Sequence, residues 1–145
     1  MKKLNELLGT ELPIIQGGMA NIADGAFAAA CSNAGALGVI ASGGMHTPDQ
    51  LREQIRICRE LTNKPFGVNL MLMNPIAKEL AQVIAEEHIS VVTTGAGNPG
   101  PYIPAWKEAG VRRFCRAKLV CPGASSSAAK LFGGVCNREP PQILS

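Results

Sequence analysis

A chain of 145 residues, 46% hydrophobic and 17% charged, with a net charge of +3, has the size and composition of one ordinary soluble globular domain. No run approaches the ~18 consecutive apolar residues of a membrane span, and Met1 to Leu8 alternate charged and apolar positions where a signal peptide would be continuously apolar. We therefore expect a cytoplasmic protein with no membrane partner. The five cysteines, Cys31, Cys58, Cys115, Cys121 and Cys136, form no C-x-x-C pair and no cluster with histidine, so they read as free thiols and no metal site is expected.

In chain order, Lys3 to Leu8 reads as a short helix leading into a first strand, Pro13 to Gln16, that ends on Gly17-Gly18. Ala23 to Asn33 is alanine-rich and helical, with Asp24 near its positive N-terminal end and Gly35 just past its C-terminus. Leu37 to Ile40 is a second, apolar strand closed by Ser42-Gly43-Gly44. Thr47-Pro48-Asp49 starts a helix reaching about Leu61, threonine serving as cap and proline as first residue. Phe66 to Leu70 is the third strand, Pro75 to Glu87 an amphipathic helix, His88 to Thr93 the fourth strand, and Pro104 to Ala109 a short helix ending on Gly110.

Strand followed by helix, four times at spacings of roughly 25 residues, predicts βαβ units and a parallel α/β sheet. The strands carry few charges, as strands covered on both faces do. Such sheets bind ligands at the carboxyl ends of their strands. Three segments of one kind lie there: Pro13-Ile14-Ile15-Gln16-Gly17-Gly18-Met19, Pro65-Phe66-Gly67-Val68-Asn69-Leu70-Met71, and Val91-Val92-Thr93-Thr94-Gly95-Ala96-Gly97-Asn98-Pro99-Gly100. Each passes from an apolar run to glycine or an amide, which lets a ligand approach backbone without Cβ atoms in the way.

Gly95 to Gly100 also satisfies the dinucleotide pattern G-x-G-x-x-G, but a Rossmann site does not fit. Pro99 is poorly suited to a turn opening a helix, the pattern follows the fourth strand, and no acidic residue lies about 20 positions on to hold a ribose. His46 and His88 read as surface or turn residues, and Met71 and Met73 as core or pocket wall.

Gln16-Gly17-Gly18-Met19-Ala20, Asn33-Ala34-Gly35-Ala36-Leu37-Gly38, Lys64-Pro65-Phe66-Gly67-Val68-Asn69 and Val91-Val92-Thr93-Thr94-Gly95-Ala96-Gly97-Asn98-Pro99 occur in this order. The set resembles the FMN-dependent enoyl-acyl-carrier-protein reductases of the FabK type, and is similar to the nitronate monooxygenases, formerly 2-nitropropane dioxygenases. The likeness covers about Leu4 to Val111. It implies a (β/α)8 TIM barrel with FMN over the carboxyl ends of its strands, reduced by NAD(P)H and reoxidised by an enoyl thioester, small or carried on acyl-carrier protein, in fatty acid synthesis. Oxidation of alkyl nitronates with FMN and oxygen is the alternative activity. Carried over residue by residue, Gly17, Gly18 and Met19 would line the isoalloxazine, Asn69 would hydrogen-bond the ring edge, and Thr94 and Gly95 would border the substrate.

Barrels of this kind run to about 250 residues. The resemblance puts the FMN phosphate turns and a catalytic histidine in later strands, so no catalytic residue is assigned here. We expect the N-terminal half of a barrel, truncated after about four βα units, over residues 1–111, with an irregular tail over 112–145. The tail holds six of the 14 basic residues and one of the 11 acidic ones, a net +5 against −2 before it. Its aromatics are sparse and its charges do not line one helical face, so a nucleic-acid partner is not expected. An abrupt end to the pattern reads instead as a frameshifted or damaged coding sequence. Such a fragment would be inactive alone, or a non-catalytic fragment outright, and would leave an open barrel edge available for self-association.

Overall fold

Strands that run parallel need a crossover between them, and here a helix supplies each one. The computed structural model describes residues 3–111 and the backbone of 113–117. In order these form α1 (Leu4–Leu8), α2 (Gly25–Asn33), β1 (Gly38–Ala41), α3 (Pro48–Leu61), β2 (Phe66–Met71), α4 (Ala77–Glu86), β3 (Val91–Gly95), a 3-10 turn (Gly100–Tyr102), α5 (Ile103–Glu108) and β4 (Arg113–Ala117). The sheet is four-stranded and parallel, in the order β1-β2-β3-β4.

Local chemistry sets the helix starts. Asp24 caps α2 by accepting a hydrogen bond from the Phe27 amide at 2.8 Å. Thr47 and Gln50 cap α3 reciprocally, with Pro48 in the first turn. The helices then pack on the outer face of the sheet through Ala28, Leu51, Ile55, Leu80, Ile84 and Trp106 against Ile40, Val68, Leu70 and Val92. On the inner face Leu8 of α1 closes over Leu37, Val39 and Val91 at the amino ends of the strands. Two glycines allow the layers to approach: a Cβ on Gly38 would overlap the carbonyl of Ala28 in α2, and one on Gly25 would overlap the carbonyl of Gln54 in α3. Across the outer surface Arg52 pairs with Glu86 and Glu87, and Arg59 with Glu87, tying α3 to the end of α4.

Two expectations need correction. The expected strand Pro13 to Gln16 is reduced to one parallel bridge, Ile15 with Leu37. The Gln16 and Leu37 amides each bond across it at 2.9 Å, and the Gln16 side chain then takes the place of further backbone by accepting from the Val39 amide at 2.7 Å. Second, the segment after Val111, irregular by its composition, contains β4, which pairs with all of β3 from Val91 to Gly95. The arginines at 113 and 116 hid it, because a parallel strand covered on both faces is expected to read as a near-continuous apolar run. The edge of β3 is therefore covered. The rest of the expected tail, 118–145, lies outside the described residues. No helix among the described residues is long and apolar enough to cross a membrane.

Candidate functional site at the carboxyl ends of the strands

Side chains alternate across a strand, so the residues that share a face with Val39 and Val91 are Ala41 on β1, Gly67, Asn69 and Met71 on β2, and Thr93 and Gly95 on β3. One rung of the register joins Ala41, Asn69, Thr93 and, by backbone position, Cys115. At this level apolar packing gives way to polar groups. The Asn69 Nδ2 donates to Thr93 Oγ1 at 2.8 Å, and its Oδ1 receives no hydrogen bond from the described residues. From the bridge side Gly18 closes on the same carboxamide, since a Cβ there would stand 2.7 Å from Asn69 Cβ.

Above this rung the strand ends are stitched to one another. The buried Ser42 takes the Met71 amide on its hydroxyl at 3.2 Å and sends its own amide to the Asn69 carbonyl at 3.1 Å. Asn74 binds the carbonyls of Ser42 and Met45 at 3.3 and 2.9 Å, and the Leu72 amide reaches the Gly95 carbonyl at 2.9 Å. Half-buried Met71 lies between two bare backbones: a Cβ on Gly43 or on Gly95 would each come 3.9 Å from it. Nothing lies within 4 Å of a Cβ built on Gly17. The result is a rim of exposed backbone at Gly17, a fixed amide at Asn69 and an apolar wall at Met71. The inward polar side chain of β3 at this level, Thr93, is a hydroxyl.

Of the residues singled out from sequence, Gly18 and Asn69 meet at this rim, and the exposed Gly17 and Met19 flank Gly18 along the chain. Gly95 ends β3 beside Met71. Thr94 is only 3% exposed and by alternation lies on the opposite face from Asn69, toward the helix layer. Thr93 and Ser42 are not among the residues that sequence reasoning selects. Four β-branched residues in a row, buried throughout, carry no marker of which face is inside, so only the pairing with Asn69 distinguishes Thr93 from Thr94. Met73 is exposed, and His88 is an exposed turn residue at φ 50°, its Nδ1 3.1 Å from the Ala109 carbonyl. Charge is concentrated elsewhere: a hollow on α3 is lined by Arg52, Glu53, Arg56, Arg59, Glu60 and Glu87, which pair among themselves. There Arg52 holds the Glu86 carboxyl below the usual carboxylate range through its hydrogen bond.

Residues 1–102 match the nitronate monooxygenase family. The Mycobacterium tuberculosis (3aS,4S,5R,7aS)-5-hydroxy-7a-methyl-1-oxo-octahydro-1H-indene-4-carboxyl-CoA dehydrogenase is 36% identical over 107 residues, 74% of this chain and 30% of its own length. The nitronate monooxygenase of Pseudomonas aeruginosa is 47% identical over 73 residues, 50% of this chain and 20% of that protein. Among solved structures, FabK from Thermotoga maritima superposes with a TM-score of 0.75 at 46% identity, over 80% of this chain and 37% of FabK. The matches thus span between a fifth and somewhat over a third of the length of these relatives.

Proposed function

Because the chain belongs to the nitronate monooxygenase family, we propose that its strand ends form the flavin-edge portion of a cytoplasmic FMN-dependent oxidoreductase that reduces enoyl thioesters in fatty acid synthesis. The observation that carries the reductase reading is the 46% identity to FabK across 80% of the chain. The rim fits a flat ring: bare backbone at Gly17, an amide at Asn69 and a sulfur-bearing wall at Met71 between Gly43 and Gly95. When bound, FMN supplies the relay of hydride from NAD(P)H to the β-carbon of the thioester. The residues of the rim bind and orient: Asn69 offers a hydrogen bond to the ring edge, Met19 and Met71 exclude water from its face, and Gly18 keeps the amide in place.

In this reading residues 1–111 are part of a (β/α)8 barrel truncated after about four βα units, and residues 112–145 stand outside the family pattern even though β4 prolongs the sheet. These 145 residues taken alone hold FMN weakly and do not turn over, since the resemblance assigns the phosphate turns and the catalytic histidine to later strands. Self-association belongs to the same proposal. Leu12 and Ile14 are exposed and adjoin in sequence the bridge at Ile15, where the sheet has no further strand among the described residues.

The 47% identity to a nitronate monooxygenase over half of the chain favours a second reading, oxidation of alkyl nitronates with oxygen. Joining the chain to the second half of a FabK relative and assaying both substrates separates the two. Enoyl-thioester reduction with NADH or NADPH is expected. Nitronate oxidation without enoyl reduction replaces the first reading by the second, and a folded, FMN-loaded fusion inert to both leaves only a non-catalytic role.

A further inference from the structure

We propose that Thr93 is the positioning residue of this site, acting through Asn69 to present the carboxamide oxygen to a ligand N–H; the inference rests on the flavin reading. A carboxamide has two chemically opposite ends, which a free rotation about its last bond exchanges. A ligand edge meets an acceptor or a donor depending on which end is held. Here the Nδ2 end is engaged by Thr93 Oγ1 at 2.8 Å, on the directly paired position of the neighbouring strand. The Oδ1 end is left without a donor from the described residues. Gly18 limits the side chain from the other side, its absent Cβ leaving just the space that Asn69 fills.

Thr93 is itself largely buried, on a strand, and paired in register, so its hydroxyl is a rigid support. The neighbouring rung position, Ala41, has no side-chain polar group to offer Asn69 a competing hydrogen bond. With Nδ2 on Thr93 the amide stands as an acceptor on its open side, and the matching ligand edge is an imide or amide N–H, of the kind an isoalloxazine carries on its pyrimidine ring. Thr94, one residue on, cannot substitute, because it lies on the other face of the strand.

The test is titration of the full chain with free FMN, read by quenching of flavin fluorescence, for the parent, Thr93→Val, Thr93→Ser, Asn69→Leu and the double variant Thr93→Val/Asn69→Leu. Valine keeps the shape and removes the hydroxyl; serine keeps the hydroxyl. We expect Thr93→Val to weaken binding about tenfold, Thr93→Ser to stay within about threefold of the parent, and Thr93→Val to have no further effect once Asn69 is leucine. Thermal melts within a few degrees of the parent exclude a loss of fold. If the parent binds and Thr93→Val binds equally well, or if the valine still costs tenfold without Asn69, the positioning role is overturned while the flavin reading stands. A folded parent with no affinity for FMN overturns both together.

Discussion

The indole Nε1 of Trp106 donates to the carbonyl of Ala81 at 2.9 Å, so α5 is bolted to the back of α4 by a hydrogen bond inside the apolar layer. Trp106 is 1% exposed and leans on Tyr102, ring centroids 5.7 Å apart. Trp106→Ala should cost about 3–5 kcal/mol by opening a cavity, and Trp106→Phe about 1–3 kcal/mol by removing the indole hydrogen bond and part of the ring volume. Because this is the only tryptophan in the chain, urea unfolding should be followed by circular dichroism. A phenylalanine variant as stable as the parent would show that the indole hydrogen bond adds nothing to the helical bond the Ala81 carbonyl already accepts within α4.

Glycines at two places in the fold should respond in opposite ways to alanine. Gly38→Ala drives a methyl into the Ala28 carbonyl, backbone against backbone, and neither β1 nor α2 can yield without opening the core. Loss of a cooperative melt is expected. Gly17→Ala meets nothing within 4 Å and should melt with the parent, while its methyl intrudes on the space assigned to the ring and weakens FMN. Equal melting points for the two variants would contradict the close approach of α2 to the sheet.

Ala96 holds φ at 54°, in the left-handed region that an alanine enters at a cost of about 1–2 kcal/mol. Ala96→Gly should relieve that cost and lose part of the gain to the greater freedom of the unfolded chain, for a net stabilisation of up to about 1 kcal/mol. Gly97→Ala should do the reverse, because φ there is 159° and a Cβ would stand 2.7 Å from Leu72 Cβ. Differential melting of the pair reads the result. A destabilised Ala96→Gly would mean that the alanine methyl packs more favourably than its backbone is strained.

Burial pushes the Cys58 thiol up to about 11, since α3 sets it wholly inside the apolar layer. A thiol whose pKa is raised on folding favours the folded state while it stays protonated. That contribution is complete below the unfolded value near 9 and is lost as pH rises through about 11. The chain should therefore lose on the order of 2–3 kcal/mol between pH 9 and 11 that Cys58→Ala does not lose, on top of the variant's own cavity cost. Denaturation at the two pH values checks it. In the native protein at pH 8, half-buried Cys31 should alkylate well before Cys58.

The sequence was most legible where a local rule decides the outcome. Thr47-Pro48 starts α3 as capping chemistry requires, Asp24 caps α2, and Asn69 stands on the inner face at the end of β2. It was least legible where a distant partner decides. Pro13 to Gln16 has the composition of a strand, yet the Gln16 side chain completes the pairing that backbone would have made. Arg113 to Ala117 lacks the composition and is nonetheless paired to β3. Thr94 stands out in the sequence where Thr93 turns to Asn69 for the same reason: which face of a fully buried strand turns inward is set by its neighbour's register, and that is not written in the strand.

The spatial order of the strands, β1-β2-β3-β4, is also their order along the chain. β2, β3 and β4 are each therefore laid down beside a strand that has already been synthesised, and among the described residues no strand pairing is crossed. On a ribosome the sheet can grow as fast as the polypeptide emerges, each new helix sealing the rung just added. An interruption at any βα boundary leaves behind a smaller version of the same sheet, with one fresh edge, where a fold built on crossed pairings would leave strands without partners.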